Sequence, residues 1–106
     1  MQRISFDQQP RWDGAYVLAA RLDGTRVRCI ATRRVLVDCL GAEVATASEG
    51  EIVRRAEPCR PILERAFRNQ IAALEAEGRL EKAVLLMHET FFHWANCVSG
   101  GRPQAA

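Results

Sequence analysis

Hydrophobic and polar residues alternate with period two on both sides of Asp23-Gly24, from Tyr16 to Leu22 and from Thr25 to Ala31. Two alternating runs joined by Asp-Gly predict a β-hairpin with a two-residue turn. The turn pairs Leu22 with Thr25, Arg21 with Arg26, Ala20 with Val27, Ala19 with Arg28, Leu18 with Cys29, Val17 with Ile30 and Tyr16 with Ala31. Side chains alternate between the faces of a strand. One face therefore carries Tyr16, Leu18, Ala20, Leu22, Thr25, Val27, Cys29 and Ala31, and it must pack on a core. The other carries Val17, Ala19, Arg21, Arg26, Arg28 and Ile30. A slip of one residue would bury the arginines, so the register is strongly specified. The shorter run Ile4-Ser5-Phe6-Asp7 alternates too and is expected to pair alongside, with Asp7 near the arginines.

After the hairpin the period changes. Thr32 and Gly41 bracket a short helix as N-cap and C′ residues, with Leu36, Cys39 and Leu40 toward the core. Residues 42–47 read as a loop. Ser48 and Glu51 have the spacing of a capping box. Ile52, Ala56, Cys59, Leu63, Ala66, Phe67, Ile71 and Leu74 then recur at spacings of three and four, a helical stripe. Pro58 and Pro61 fall inside this stripe without changing its phase. The expectation is one helical surface kinked or broken near residues 57–61 and closed by Gly78. Residues 79–94 fit either period: Leu80, Ala83, Val84, Met87, Phe91 and Trp94 suit a helix, whereas Val84, Leu86 and His88 suit one side of a strand.

The resulting fold class is α+β: a small antiparallel sheet in β-β-β-α-α-β order with helices packed on one face. Residues 1–96 form one domain, followed by a polar, disordered tail over 97–106. The expected core is Ile4, Phe6, Leu18, Ala20, Val27, Cys29, Leu36, Leu40, Ile52, Leu63, Phe67, Ile71 and Val84.

Ile4-Ser5-Phe6, Arg11-Trp12-Asp13, the Leu22-Asp23-Gly24 turn and Arg28-Cys29-Ile30-Ala31-Thr32 together resemble a short bacterial family catalogued as domain of unknown function family 1488. Glu51–Ile71 is similar in placement to that family's long amphipathic helix. Gly78-Arg79 followed by Val84-Leu85-Leu86 and Phe91 resembles its glycine-arginine and short-strand ending. The likeness implies an α+β fold and a strand within residues 79–94. It implies no activity and transfers no catalytic residues. Pro58 and Pro61 depart from the family's uninterrupted helix.

Composition narrows the function classes. Hydrophobic residues make up 48% and charged residues 26% of the chain, the values of an ordinary globular domain. No apolar run approaches the ~18 residues that span a bilayer, and the N-terminal residues hold no signal-like apolar core. Cys29, Cys39, Cys59 and Cys97 are irregularly spaced, which suggests reduced, buried thiols and a cytoplasmic setting. Fourteen of the fifteen cationic residues are arginine. Together with abundant alanine, this fits the codon bias of a GC-rich bacterial genome.

Charge is uneven although the net charge is only +2. Arg21, Arg26, Arg28, Arg33 and Arg34 lie within residues 21–34 against Asp23 alone. Arg21 opposite Arg26 is unfavourable in a ladder, and Arg33 and Arg34 open a helix whose dipole opposes cations. These five are the anion-binding candidates. His88 and His93 are the only histidines, and no cysteine spacing matches a zinc site. No glycine cluster forms a phosphate loop. The expectation is a non-enzymatic protein-interaction or self-associating module without cofactor or metal. The alternative is an anion or nucleic-acid binder using the arginine-rich face.

Overall fold

The computed structural model describes residues 4–7, 9–98 and 102–103. Strands β1 (Ile4–Phe6), β2 (Arg11–Trp12), β3 (Tyr16–Leu22), β4 (Thr25–Ala31) and β5 (Ala83–Leu86) form one sheet. The β3–β4 hairpin has the register read from the alternation at every pair, from Leu22↔Thr25 to Tyr16↔Ala31. Asp23 and Gly24 adopt φ of 50° and 88°. Positive φ at both turn positions is what a type I′ hairpin turn requires. β1 pairs antiparallel with the turn end of β3 through Ile4↔Leu22, and β2 with its other end through Arg11↔Val17.

The sheet departs from the antiparallel expectation at its last strand, because β5 runs parallel to β4 with Cys29↔Val84 in register. A parallel neighbour needs a long crossover. The helices between Ala31 and Ala83 supply it by returning the chain over one face. The ambiguous segment 79–94 divides: Ala83–Leu86 is a strand and Phe91–Asn96 is helix α4. Val84 and Leu86 are buried while Ala83 and Leu85 are exposed, so period two wins where the sheet supplies a partner.

Helix α1 (Arg33–Leu40) starts at Thr32, whose hydroxyl accepts from the Val35 N–H at 3.4 Å. It ends at Gly41, with φ of 104°. Residues Ala42–Thr46, expected to be a loop, form a 3₁₀ helix. Helix α2 (Glu49–Arg55) begins after Ser48, but the expected capping box does not form. The Glu51 carboxylate is taken by Arg54 at 2.5 Å and Arg55 at 3.1 Å. Charge-assisted bonds compete successfully with a neutral cap, and they hold the Glu51 carboxyl below its usual range, the Arg55 hydrogen bond contributing most.

At the prolines the stripe breaks: Glu57–Cys59 is 3₁₀, and α3 (Arg60–Ala76) restarts after it. Pro61 sits in the first turn of α3, where its missing N–H costs nothing. Gly78 and Arg79 then donate to the Glu75 and Leu74 carbonyls, a Schellman closure.

Tyr16, Leu18, Val27 and Cys29 from the sheet join Leu36, Ile52, Leu63, Phe67, Ile71 and Phe91 in one buried cluster. Ile4, Phe6 and Leu40 of the expected core are partly buried against it. Arginines on the helical layer tie down loop carbonyls. Arg60 donates to the Asp7 carbonyl and to Glu64 at 2.7 Å. Arg68 reaches the Ile4 carbonyl at 3.4 Å and lies 5.3 Å from the Phe6 ring centre.

The cysteines correct the reduced-thiol expectation. Cys39 and Cys59 are disulfide-bonded across 20 positions, joining the end of α1 to the proline break. The sequence spacing hid this pair because only the packing of α1 beside residues 57–59 brings the two sulfurs together. Cys29 is a buried free thiol, and burial pushes its pKa up to about 12. Beyond α4, Cys97–Val98 pairs antiparallel with Arg102–Pro103; the other positions of the expected disordered tail lie outside the described residues. No helix among the described residues is long and apolar enough to cross a membrane.

Candidate binding face

Helices α1 to α4 contribute to the core on one side of the sheet, and among the described residues no helix covers the other side. Register arranges that open face in rows. Arg11, Val17, Ile30 and Leu85 stand side by side across β2, β3, β4 and β5. The next row is Ala19, Arg28 and Ala83, and the last is Ser5, Arg21 and Arg26. Arg11, Arg21, Arg26 and Arg28 are exposed, whereas Val17 is buried.

A depression of about 380 Å³ lies on this face, lined by Arg11, Arg26, Arg28 and Lys82 among others, with Asp7 as its acidic group. Arg26 and Asp7 make the expected pair at 3.5 Å, with side-chain exposures of 69% and 40%. A pair so exposed neutralises little of the local field. The depression is therefore strongly cationic, floored by the aliphatic Val17 and Ala19.

The five sequence candidates are not one cluster. Arg26 and Arg28 line the depression, and Arg21 lies on the same face outside it. Arg33 turns to the helical layer. Its Nη1 donates to the Val44 and Ala47 carbonyls at 3.0 and 2.9 Å, closing the 3₁₀ helix, and its guanidinium stands 4.9 Å from the Trp12 ring centre. That contact relieves its unfavourable place in the first turn of α1. Arg34 is exposed at the same helix start.

Arg11 and Lys82 are site residues that sequence reasoning missed. Arg11 arrives through the two-residue pairing of β2. Lys82 arrives through the parallel β5, where its carbonyl accepts from the Arg28 N–H at 2.8 Å. Neither pairing leaves a local signal.

The chemistry available here is electrostatic. No histidine or cysteine lines this depression, the groove between Gln70 and Leu80, or the hollow between Asp23 and Glu75 at the turn end of the sheet. His88 lies 3.4 Å from Glu89 at the surface. Among the described residues, no group of three His, Cys, Asp or Glu side chains could hold a metal ion. No family model, curated protein or solved structure matches the chain.

Proposed function

We propose that the protein is a non-enzymatic interaction module that binds an acidic protein segment on the open face of its sheet. The observation carrying this reading is the helix-free depression lined by Arg11, Arg26, Arg28 and Lys82 against Asp7 alone. Cationic rows alternating with the Val17, Ile30 and Leu85 row suit a segment that alternates carboxylates with apolar side chains. Self-association through this face is disfavoured, since it would oppose like charges.

Nucleic acid is the second reading, favoured by the same cations. Single strands are held on sheets by stacking bases on aromatic rings. Phe6, Trp12 and Tyr16 all point to the core side, so that platform is missing here. Phosphate contacts alone would give weak, sequence-independent binding. The likeness to family 1488 adds no activity to either reading. A cytoplasmic setting fits if the Cys39–Cys59 pair is kept reduced there; intact-mass measurement on protein from its own cells checks this.

Fluorescence anisotropy with a labelled Asp/Glu-rich peptide, and in parallel with single- and double-stranded DNA, tests the proposal. Peptide binding is expected at about 50 mM salt, weakening as salt rises. Arg28→Gln with Lys82→Gln is expected to abolish it, and Arg34→Gln to leave it unchanged. No peptide binding at low salt would sink this reading, and tighter binding to DNA would favour the second.

A further inference from the structure

From Val37 to Glu51 the chain is lightly attached to the rest of the fold. Leu36 and Ile52 at its two ends are fully buried, and Val44 is the one buried residue between them. Arg33 holds the Val44 and Ala47 carbonyls at 3.0 and 2.9 Å. Arg55 reaches Glu43 at 3.9 Å, with 47% and 89% of the two side chains exposed, and an ion pair so exposed contributes little. The strong tie is covalent: Cys39, in the last turn of α1, is bonded to Cys59 at the proline break.

The placement of the two sulfurs suits exchange in the folded protein. Cys39 is partly exposed, whereas Cys59 is only 5% exposed. A dissolved thiolate therefore meets Cys39 first, and the electron pair of the broken bond departs on Cys59. Cys59 immediately precedes α3, and no side chain caps that helix start. The start of a helix stabilises a thiolate, and a more stable leaving thiolate is displaced faster. Glu57 and Arg60 flank Cys59 in the chain with opposite charges, so the helix end sets the local field.

We infer that the Cys39–Cys59 bond is a redox latch, which a small monothiol opens to free residues 37–51 while the sheet and α3 stay folded. Two molecules of the monothiol give up two electrons and two protons and leave as one disulfide. Cys39 and Cys59 take these up and become two thiols. Exchange with the oxidised monothiol runs the same steps backwards and closes the latch. The fold survives opening because Leu18, Val27, Leu63, Phe67 and Ile71, at most 1% exposed, pack the sheet against α3 without either sulfur. Release stops at Leu36 and Ile52, which the core holds on both sides of the freed segment. The inference does not rest on what the open face binds.

Hydrogen exchange read by mass spectrometry tests it, comparing the oxidised protein with protein held in millimolar reduced glutathione. Peptide-mapped alkylation reports the state of each cysteine. Glutathione is expected to make Cys39 and Cys59 open to alkylation while the circular dichroism stays native. At short labelling times, exchange over residues 37–51 is expected to rise about tenfold or more, with residues 16–31 and 63–71 unchanged. Cys39→Ser should show the same fast exchange without any reductant. Oxidised glutathione should restore slow exchange to the wild type. A bond that persists in reduced glutathione until urea unfolds the chain overturns the inference. So does exchange that rises equally along the whole chain, or nowhere, once the bond is open.

Discussion

Along β4, Val27 and Cys29 are buried, while their neighbours Arg26 and Arg28 are exposed; the same alternation runs through Ala20, Arg21 and Leu22 of β3. The two faces share one backbone and one ladder of hydrogen bonds, yet they differ in what determines their side chains. On the helical side each residue is constrained by shape, because interiors are packed as densely as organic crystals. On the open side the constraint is charge, and the arginine pair Arg21↔Arg26 is tolerated because water screens it. Stability should therefore reside on one face and binding on the other, and that separation can be attacked directly.

The largest effect is expected from the covered face. Phe67 is fully buried in α3, and Phe67→Ala should cost about 3–5 kcal/mol in urea unfolding, the range for an aromatic truncated in a core. Replacing both Cys39 and Cys59 by serine removes a cross-link spanning 20 positions and should cost about 3 kcal/mol. Treating the wild type with a reductant should give a similar drop in Tm. Equal stability with and without the bond would show that the packing of α1 on the proline break suffices alone.

An alkaline titration probes the same face by another route. Burial pushes the Cys29 thiol from 9.0 up to about 12. It also pushes the Tyr16 hydroxyl from 10.0 up to about 12, with Arg60 partly opposing it. Both groups are neutral when protonated and both pKa values are raised by folding. Their contribution is thus fully present below pH 9.0 and is lost as pH rises toward about 12. Unfolding followed against pH should show stability falling across this window, and Cys29→Ala should make the fall shallower. Thiol reagents at pH 8 should leave Cys29 unmodified until the protein unfolds.

The smallest effect belongs to the open face. Arg21→Thr relieves the facing guanidinium groups and should raise stability by about 0.5 kcal/mol. Urea midpoints check this, and a clear loss of stability would mean that Arg21 has a structural partner and that the two faces are less separate than their burial indicates.

How much of this was legible in the sequence varies with the range of the interactions. The hairpin was legible to the residue, because Asp23-Gly24 and strict alternation are local and allow only one register. The Thr32 cap, the Gly41 and Gly78 stops and the break at Pro58 and Pro61 were legible for the same reason. The capping box at Ser48 was misread because Glu51 had two competing arginine partners within four residues. Of the candidate face, Arg21, Arg26 and Arg28 followed from the hairpin. Arg11 and Lys82 did not, and the bonds of Arg33 to the Val44 and Ala47 carbonyls depend on a 3₁₀ helix where the pattern suggested only a loop.

By itself, the sequence determined the elements and which face of each is apolar. Those properties depend on neighbours within a turn or a two-residue loop, where the chain has little choice. The tertiary structure alone decided that β5 runs parallel beside β4, that Cys39 meets Cys59, and that Arg11 and Lys82 join Arg26 and Arg28 around one depression. Each of these joins residues far apart in the chain, and their meeting depends on how the helices return across the sheet, which no local pattern encodes.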